Sequence, residues 1–280
     1  GAQYDLGLAW IHFPEGSGGL GADRGFQKLV HDAVVAVDAP QPKYEIGYGM
    51  AAPTIVTVGT DDQKARWLRP LFAGEEVWCQ LFSEPGAGSD VAGLSCRAVR
   101  DGDEWVVNGQ KVWTSNAHLA RWGLLVTRTD PDAPKHRGMT YFGIDLHQPG
   151  VEIRPLRQMT GQAEFNEIYL TDARVSEADR MGDVGDGWRV ALTTLMNERV
   201  AIGGGTRDAG KSAMDWILEA WNDHGHDDPA RHDEMMKLWV RSEVLRLNNL
   251  RAEETLTTGT PGPEGSIGKV ISAEFNKDAF

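Results

Sequence analysis

A change of hydrophobic period constrains this chain more than any other feature. Up to about residue 75, apolar residues recur at helical spacing between Gly and Pro punctuation, as in GADRGFQKLVHDAVVAV and TDDQKARWLRPLFAG. From Val77 to about Met181 that period gives way to short runs rich in β-branched and aromatic residues: WCQLFS, CRAVRDGDEWVVNGQKVWTS, WGLLVTRTD, GMTYFGIDL, GVEIRPLRQ and FNEIYLTDARV. The pairs Asp101-Gly102 and Asn108-Gly109 suit hairpin turns, because glycine tolerates positive φ. After Gly187 helical spacing returns, with Trp188, Leu192, Leu195 and Ile202 on one stripe of a helix running towards Trp221. Two more helices are expected in DEMMKLWVRSEVLRLNNLRAEETL and SIGKVISAEFNKDAF. The expected class is α+β multidomain: an N-terminal helical region (1–75), a middle antiparallel β domain (76–184) and an incomplete C-terminal helical bundle (185–280).

Composition narrows the function classes. The 28 Lys+Arg against 41 Asp+Glu leave a net charge of −13, which argues against a nucleic-acid footprint. No run of ~18 apolar residues offers a membrane span, and the start lacks a secretory pattern. A soluble, cytoplasmic protein is therefore expected, and the cysteines, Cys79 and Cys96, fit a reducing compartment. His224, His226 and His232 lie in an Asp-rich stretch without a Cys partner or helical i, i+4 pair, so no metal site is expected there.

Two segments carry chemistry. SEPGAGSD (83–90) joins an apolar strand to a Gly-rich turn, where Gly86 and Gly88 let a backbone approach a ligand closely and Ser83 and Ser89 flank it with hydroxyls. Read alone, the segment is equally a plain hairpin loop. Glu198 has Leu195 three residues before it and Ile202 four after, which places its carboxylate on the apolar stripe. No Lys or Arg occupies 194 or 202, and a carboxylate on a dry face has its pKa raised, as suits a general base. The alternative is a solvated Glu beside Arg199.

The segments WCQLFSEPGAGSDVAG (78–93) and DGDEWVVNGQKVWTSNA (101–117), with FPEGSGGLG (13–21) and GTDDQKARWLRPLFAGEE (59–76) upstream, resemble the FAD-dependent acyl-CoA dehydrogenase family in order and spacing. The resemblance covers nearly the whole chain, and the family's helical, β, helical order matches the periods above. Against the family pattern the chain reads as cut off in mid-domain and truncated at both ends.

The resemblance implies an FAD cofactor, with Gln80, Phe82, Ser83, Gly88 and Ser89 along the isoalloxazine edge. It places Trp113 against the ring face and Ser115 at its N5/O4 edge, while Trp105 and Trp122 read as core. Ser89, Asn197 and Arg199, with Met196, would line an acyl-CoA channel, and Glu198 immediately before Arg199 matches the catalytic base of one branch of the family. The commoner branch keeps its base in a C-terminal segment absent here. The implied reaction is α,β-dehydrogenation of an acyl-CoA to a trans-2-enoyl-CoA in lipid β-oxidation, with electron-transfer flavoprotein as acceptor and a homo- or hetero-oligomer as the assembly. The rivals are an acyl-CoA oxidase or other flavoenzyme on the same fold, and a catalytically silent subunit. One departure stands out: the family's Arg-x-x-Phe-Gly stretch is replaced by EAWNDHGHDDPARHD (219–233). Lys135, His136 and Arg137 offer local positive charge suited to CoA phosphates.

Overall fold

The computed structural model describes residues 1–37, 44–203, 212–224, 228–258 and 264–279. The chain divides into two compact units, Gly1–Asn197 and Glu198–Phe280.

The first unit opens with short helices, α1 (Ala2–Asp5), α2 (Gln27–Ala36), α3 (Ala52–Val58) and α4 (Asp61–Ala73). Helix α4 is strongly delimited. The Thr60 hydroxyl accepts from the Gln63 N–H, the Gln63 side chain accepts from the Thr60 N–H, and Gly74 closes the far end at φ 73°. The Gln63 amide also donates to the carbonyls of Ala178 (2.7 Å) and Arg180 (2.9 Å), tying the cap to the far end of the β block.

Eight strands follow: β1 (Trp78–Leu81), β2 (Arg97–Asp101), β3 (Glu104–Ser115), β4 (Trp122–Arg128), β5 (Met139–Asp145), β6 (Val151–Leu156), β7 (Phe165–Ser176) and β8 (Arg180–Met181). They form one sheet in the order β6-β7-β3-β2-β4-β5-β8, with β1 against β4. Most neighbours are antiparallel, but β1 and β2 each meet β4 in parallel, so the sheet is mixed. Turn chemistry read locally cannot show this, because the β2–β3 hairpin intervenes between β1 and β4 in sequence.

Alternation along the strands builds two cores. On β4 and β5, Trp122, Leu124, Val126, Met139 and Tyr141 face a cluster with Trp67, Leu68 and Ile55 of the helices, while Leu125, Phe142 and Ile144 face a second cluster with Trp105, Val107, Ile168 and Leu170. Strands β3 and β7 thus curl over β4 and β5, and the Trp105 and Phe142 rings meet at 5.4 Å. Trp105 and Trp122 are core residues, as expected.

Two expectations are corrected. Asp101-Gly102 does turn the β2–β3 hairpin, with Gly102 at φ 65°, but Asn108-Gly109 lies inside β3. There the register against β7 shifts, Asp172 takes φ 51°, and Asn108 and Asp172 exchange hydrogen bonds of 3.0 Å. Glycine is required at 109 because a Cβ would lie 2.7 Å from Cys96 Cα. The second correction concerns α5 (Gly187–Gly203): its buried side is Val190, Ala191 and Thr194, whereas Leu192 is 39% exposed. The Thr194 hydroxyl, bonded to Thr54 (3.0 Å) and Tyr141 (2.9 Å), rotates the buried face away from the purely apolar stripe.

The second unit continues α5 and adds α6 (Ala213–His224), α7 (Pro229–Thr258) and α8 (Glu264–Ala279), with α7 and α8 joined by the Arg241–Asp278 ion pair. Phe275 of α8 is buried, but Ile267 and Val270 are exposed. His226, named with His224 and His232 above, lies outside the described residues. None of the helices is long and apolar enough, among the described residues, to cross a membrane.

Candidate flavin-edge site

Strand β1 leads straight into the Gly-rich turn. Gln80 is half-buried, the Phe82 ring is buried edge-on against Tyr141 (5.8 Å), and the Ser83 carbonyl accepts from the Val112 N–H at 2.9 Å. This bond brings the two motif segments side by side. Reciprocal bonds between Glu84 and Ala87 (2.9 and 3.0 Å) close the turn, and Gly86, Gly88 and Ser89 are exposed. A Cβ at Gly86 or Gly88 would meet no heavy atom within 4 Å, and neither residue has a positive φ. The fold itself therefore does not require glycine at either position, in contrast to Gly109.

Beside this open turn, β3 carries an irregularity between Lys111 and Thr114, where it has one residue more than β7. The irregularity sets Trp113 at φ 58°, a left-handed conformation that costs a bulky residue about 1–3 kcal/mol. Its side chain is 62% exposed, with Phe165 at its edge (6.0 Å). A strained, solvent-facing indole is unusual in a strand. Ser115 follows, half-buried, and the intervening Thr114 hydroxyl is buried without a hydrogen-bond partner among the described residues.

Beneath the turn lies a pair that sequence reasoning missed. Lys111 is 0% exposed, and its ammonium donates to Glu84 Oε1 (2.8 Å) and to the Phe82 carbonyl (3.2 Å). Glu84 further accepts from the Ser95 N–H (2.7 Å), the Ser95 hydroxyl (2.8 Å) and the Cys96 N–H (3.0 Å). Burial alone would raise the Glu84 carboxyl, but the Lys111 charge and these hydrogen bonds outweigh it and hold the pKa below the ordinary value. The buried thiols are shifted the other way: burial raises Cys79 strongly and pushes Cys96 up to about 11, so neither serves as a thiolate near neutral pH.

Other candidates sit elsewhere. Lys135 is engaged by both Asp90 oxygens (2.8 and 3.0 Å), and the His136 ring lies 4.7 Å from Trp188. Asn197 is half-buried on α5 with its amide donating to the Thr193 carbonyl (2.9 Å). In the second unit the Glu198 side chain is 21% exposed and faces Lys269 of α8 at 3.4 Å, so its surroundings are not the dry face expected from the stripe. Lys269 stands 71 residues further on and escapes any local reading. Arg199 is exposed. No group of three or more His, Cys, Asp or Glu is placed to hold a metal ion among the described residues.

A strand running into an open Gly-rich turn beside an exposed tryptophan, flanked by helical regions, defines a class. Family models describing the acyl-CoA dehydrogenase N-terminal, middle and C-terminal domains match residues 2–75, 79–173 and 185–280. The chain belongs to the acyl-CoA dehydrogenase family. It is 44% identical to acyl-CoA dehydrogenase FadE34 of Mycobacterium tuberculosis over 99% of this chain but only 38% of that protein. It is 36% identical to acyl-CoA dehydrogenase IpdE1 of the same organism over 97% of this chain and 71% of the relative. Among solved structures, the steroid ACAD Tcur3481-Tcur3483 superposes with a TM-score of 0.83 at 28% identity, covering 99% of this chain and 72% of the other.

Proposed function

We propose that the protein containing this chain is an FAD-dependent acyl-CoA dehydrogenase that converts an acyl-CoA thioester into its trans-2-enoyl-CoA. The observation that carries the reading is the pairing of Ser83 with Val112, which sets a Gly-rich turn with space for a ligand beside the exposed Trp113. In this reading the backbone from Gln80 to Ser83, with Gly88 and Ser89, receives the edge of the flavin ring. Trp113 covers a ring face and Ser115 offers a hydroxyl. FAD, when bound, supplies the acceptor for the two electrons and the hydrogen leaving the β-carbon.

Glu198 takes the α-proton of the thioester, and Asn197 and Arg199 lie along the acyl-CoA path with Ser89. A cytoplasmic enzyme of lipid breakdown, with electron-transfer flavoprotein as the onward acceptor, completes the proposal. Hetero-oligomeric assembly is supported by the two-component names of the structural neighbours, Tcur3481-Tcur3483 and the ChsE4-ChsE5 complex of Mycobacterium tuberculosis. The name steroid ACAD borne by one of them makes a CoA thioester of a steroid side chain a candidate substrate.

The test is anaerobic bleaching of the flavin in the full-length protein by octanoyl-, isobutyryl- and steroid side-chain CoA, beside Glu198→Gln. Bleaching by one thioester class in the wild type alone is the expected result. Bleaching that survives Glu198→Gln removes the base from this position, and a protein that takes up no FAD refutes the flavoenzyme reading.

A further inference from the structure

We infer that the buried Lys111–Glu84 pair is a positioning device that fixes the Gly-rich turn and the Trp113 segment relative to one another. This rests on the flavin-edge reading and assigns it two residues outside the surface that meets the ligand. A buried ion pair is weak evidence for stability, because an apolar pair of similar volume is often as stable or more so. What an apolar pair cannot do is satisfy the polar groups gathered here.

The geometry makes the pair a clasp. Glu84 follows Ser83 and begins the turn, and its carboxylate takes the N–H groups of Ser95 and Cys96 at 2.7 and 3.0 Å, so one side chain closes the base of the loop from 84 to 96. Lys111 lies two residues before Trp113, and its ammonium bridges the Glu84 carboxylate and the Phe82 carbonyl at 2.8 and 3.2 Å. The end of β1, the turn and the irregular stretch of β3 therefore share one charge centre. Two strand ends joined only by the Ser83–Val112 backbone bond could slide or twist. The clasp adds five directional hydrogen bonds, three accepted by Glu84 from Ser95 and Cys96 and two donated by Lys111.

Removing the ammonium leaves a buried carboxylate without its counter-charge and frees the Phe82 carbonyl. The turn then relaxes towards solvent, and the ring edge it receives shifts with it. Misplacement by about 1 Å is enough to lower a catalytic rate by roughly 100-fold.

The experiment uses the full-length holoenzyme saturated with FAD and held well below each variant's melting temperature. Lys111→Met, the double variant Glu84→Gln/Lys111→Met and the milder Ser95→Ala are compared by stopped-flow flavin reduction at saturating thioester, using the CoA ester that bleaches the wild type. The double variant carries no unpaired buried charge, and Ser95→Ala removes one hydrogen bond at an exposed position, so a failure of Lys111→Met to fold does not end the test. The expected result is a limiting reduction rate lowered by about 30-fold or more in the charge-removed variants, and by about threefold in Ser95→Ala, within the range that misplacement allows. The bound-flavin absorption bands shift with it, while the thioester concentration giving half the limiting rate changes by less than about threefold, as a loss of positioning rather than of binding requires. Wild-type reduction rates and spectra in variants that differ only in melting temperature overturn the inference, leaving the pair a merely structural one. A wild type that binds FAD and is reduced separates that outcome from failure of the flavin-edge reading, which a colourless wild type would show.

Discussion

Gly88→Ala separates what the fold needs from what a ligand needs. A Cβ at residue 88 meets nothing within 4 Å, and the residue has no positive φ, so the side chain enters open space on an accessible backbone. Gly→Ala at a compatible position stabilises by about 0.4–1 kcal/mol, because the unfolded chain loses freedom. For a unit of this size that corresponds to a melting temperature higher by about 1–4 °C. If the turn instead meets a flavin edge, the same methyl occupies the ligand's space. FAD affinity then falls by at least about tenfold, or about 1.4 kcal/mol. Thermal melts of the flavin-free protein measure the first effect, and quenching of FAD fluorescence on titration measures the second. An apo-protein that melts several degrees lower would show that the fold requires Gly88. Unchanged FAD affinity in a normally folded variant would show that no ligand approaches the turn there. Either result refutes the reasoning.

Gly109→Ala should behave in the opposite way. Its Cβ would lie 2.7 Å from Cys96 Cα, so a loss of about 2–3 kcal/mol is expected from overpacking, visible in the urea midpoint of the flavin-free protein. Trp67→Ala should cost about 3–5 kcal/mol in the same assay, since the indole is fully buried against Trp78 and Trp122 at 5.3 and 5.5 Å. Burial, reinforced by the charge of Arg24, lowers the His12 pKa from 6.5 to about 4. The unfolded state therefore binds more protons between those values, and this contribution is complete above pH 6.5 and lost as pH falls towards 4. Partial solvent access reduces its size to about 1–2 kcal/mol; the difference in stability between wild type and His12→Phe should accordingly change between pH 7 and pH 4.5, and a constant difference would contradict the assignment.

The architecture was legible wherever one physical rule acted on neighbouring residues. Alternation along WGLLVTRTD and GMTYFGIDL sorts Leu124 and Tyr141 to one core and Leu125 and Phe142 to the other, and both strands form where expected. The rule fails where a distant residue decides. Asn108-Gly109 has turn chemistry, but Cys96 on the neighbouring strand is what demands its glycine. Leu192 fits an apolar stripe, but hydroxyls from Thr54 and Tyr141 turn Thr194 inwards instead. Glu198 lacks a cation at helical spacing and meets Lys269 from another helix.

Lys111 is the sharpest case, because a lysine in NGQKVWTS reads as a solvated strand residue. Lys111 shares the parity of Trp105 and Val107 on the buried side of β3, where it meets the Glu84 carboxylate, and the extra residue that follows it turns Trp113, next in that parity, outwards. Plain alternation thus hides the charge, and one departure from strand geometry exposes the ring. Deletion of Val112, which removes the extra residue and restores alternation, is therefore expected to leave Lys111 facing Glu84 and the indole facing solvent. Loss of tryptophan accessibility to acrylamide in that variant, or disruption of the ion pair, would refute this assignment.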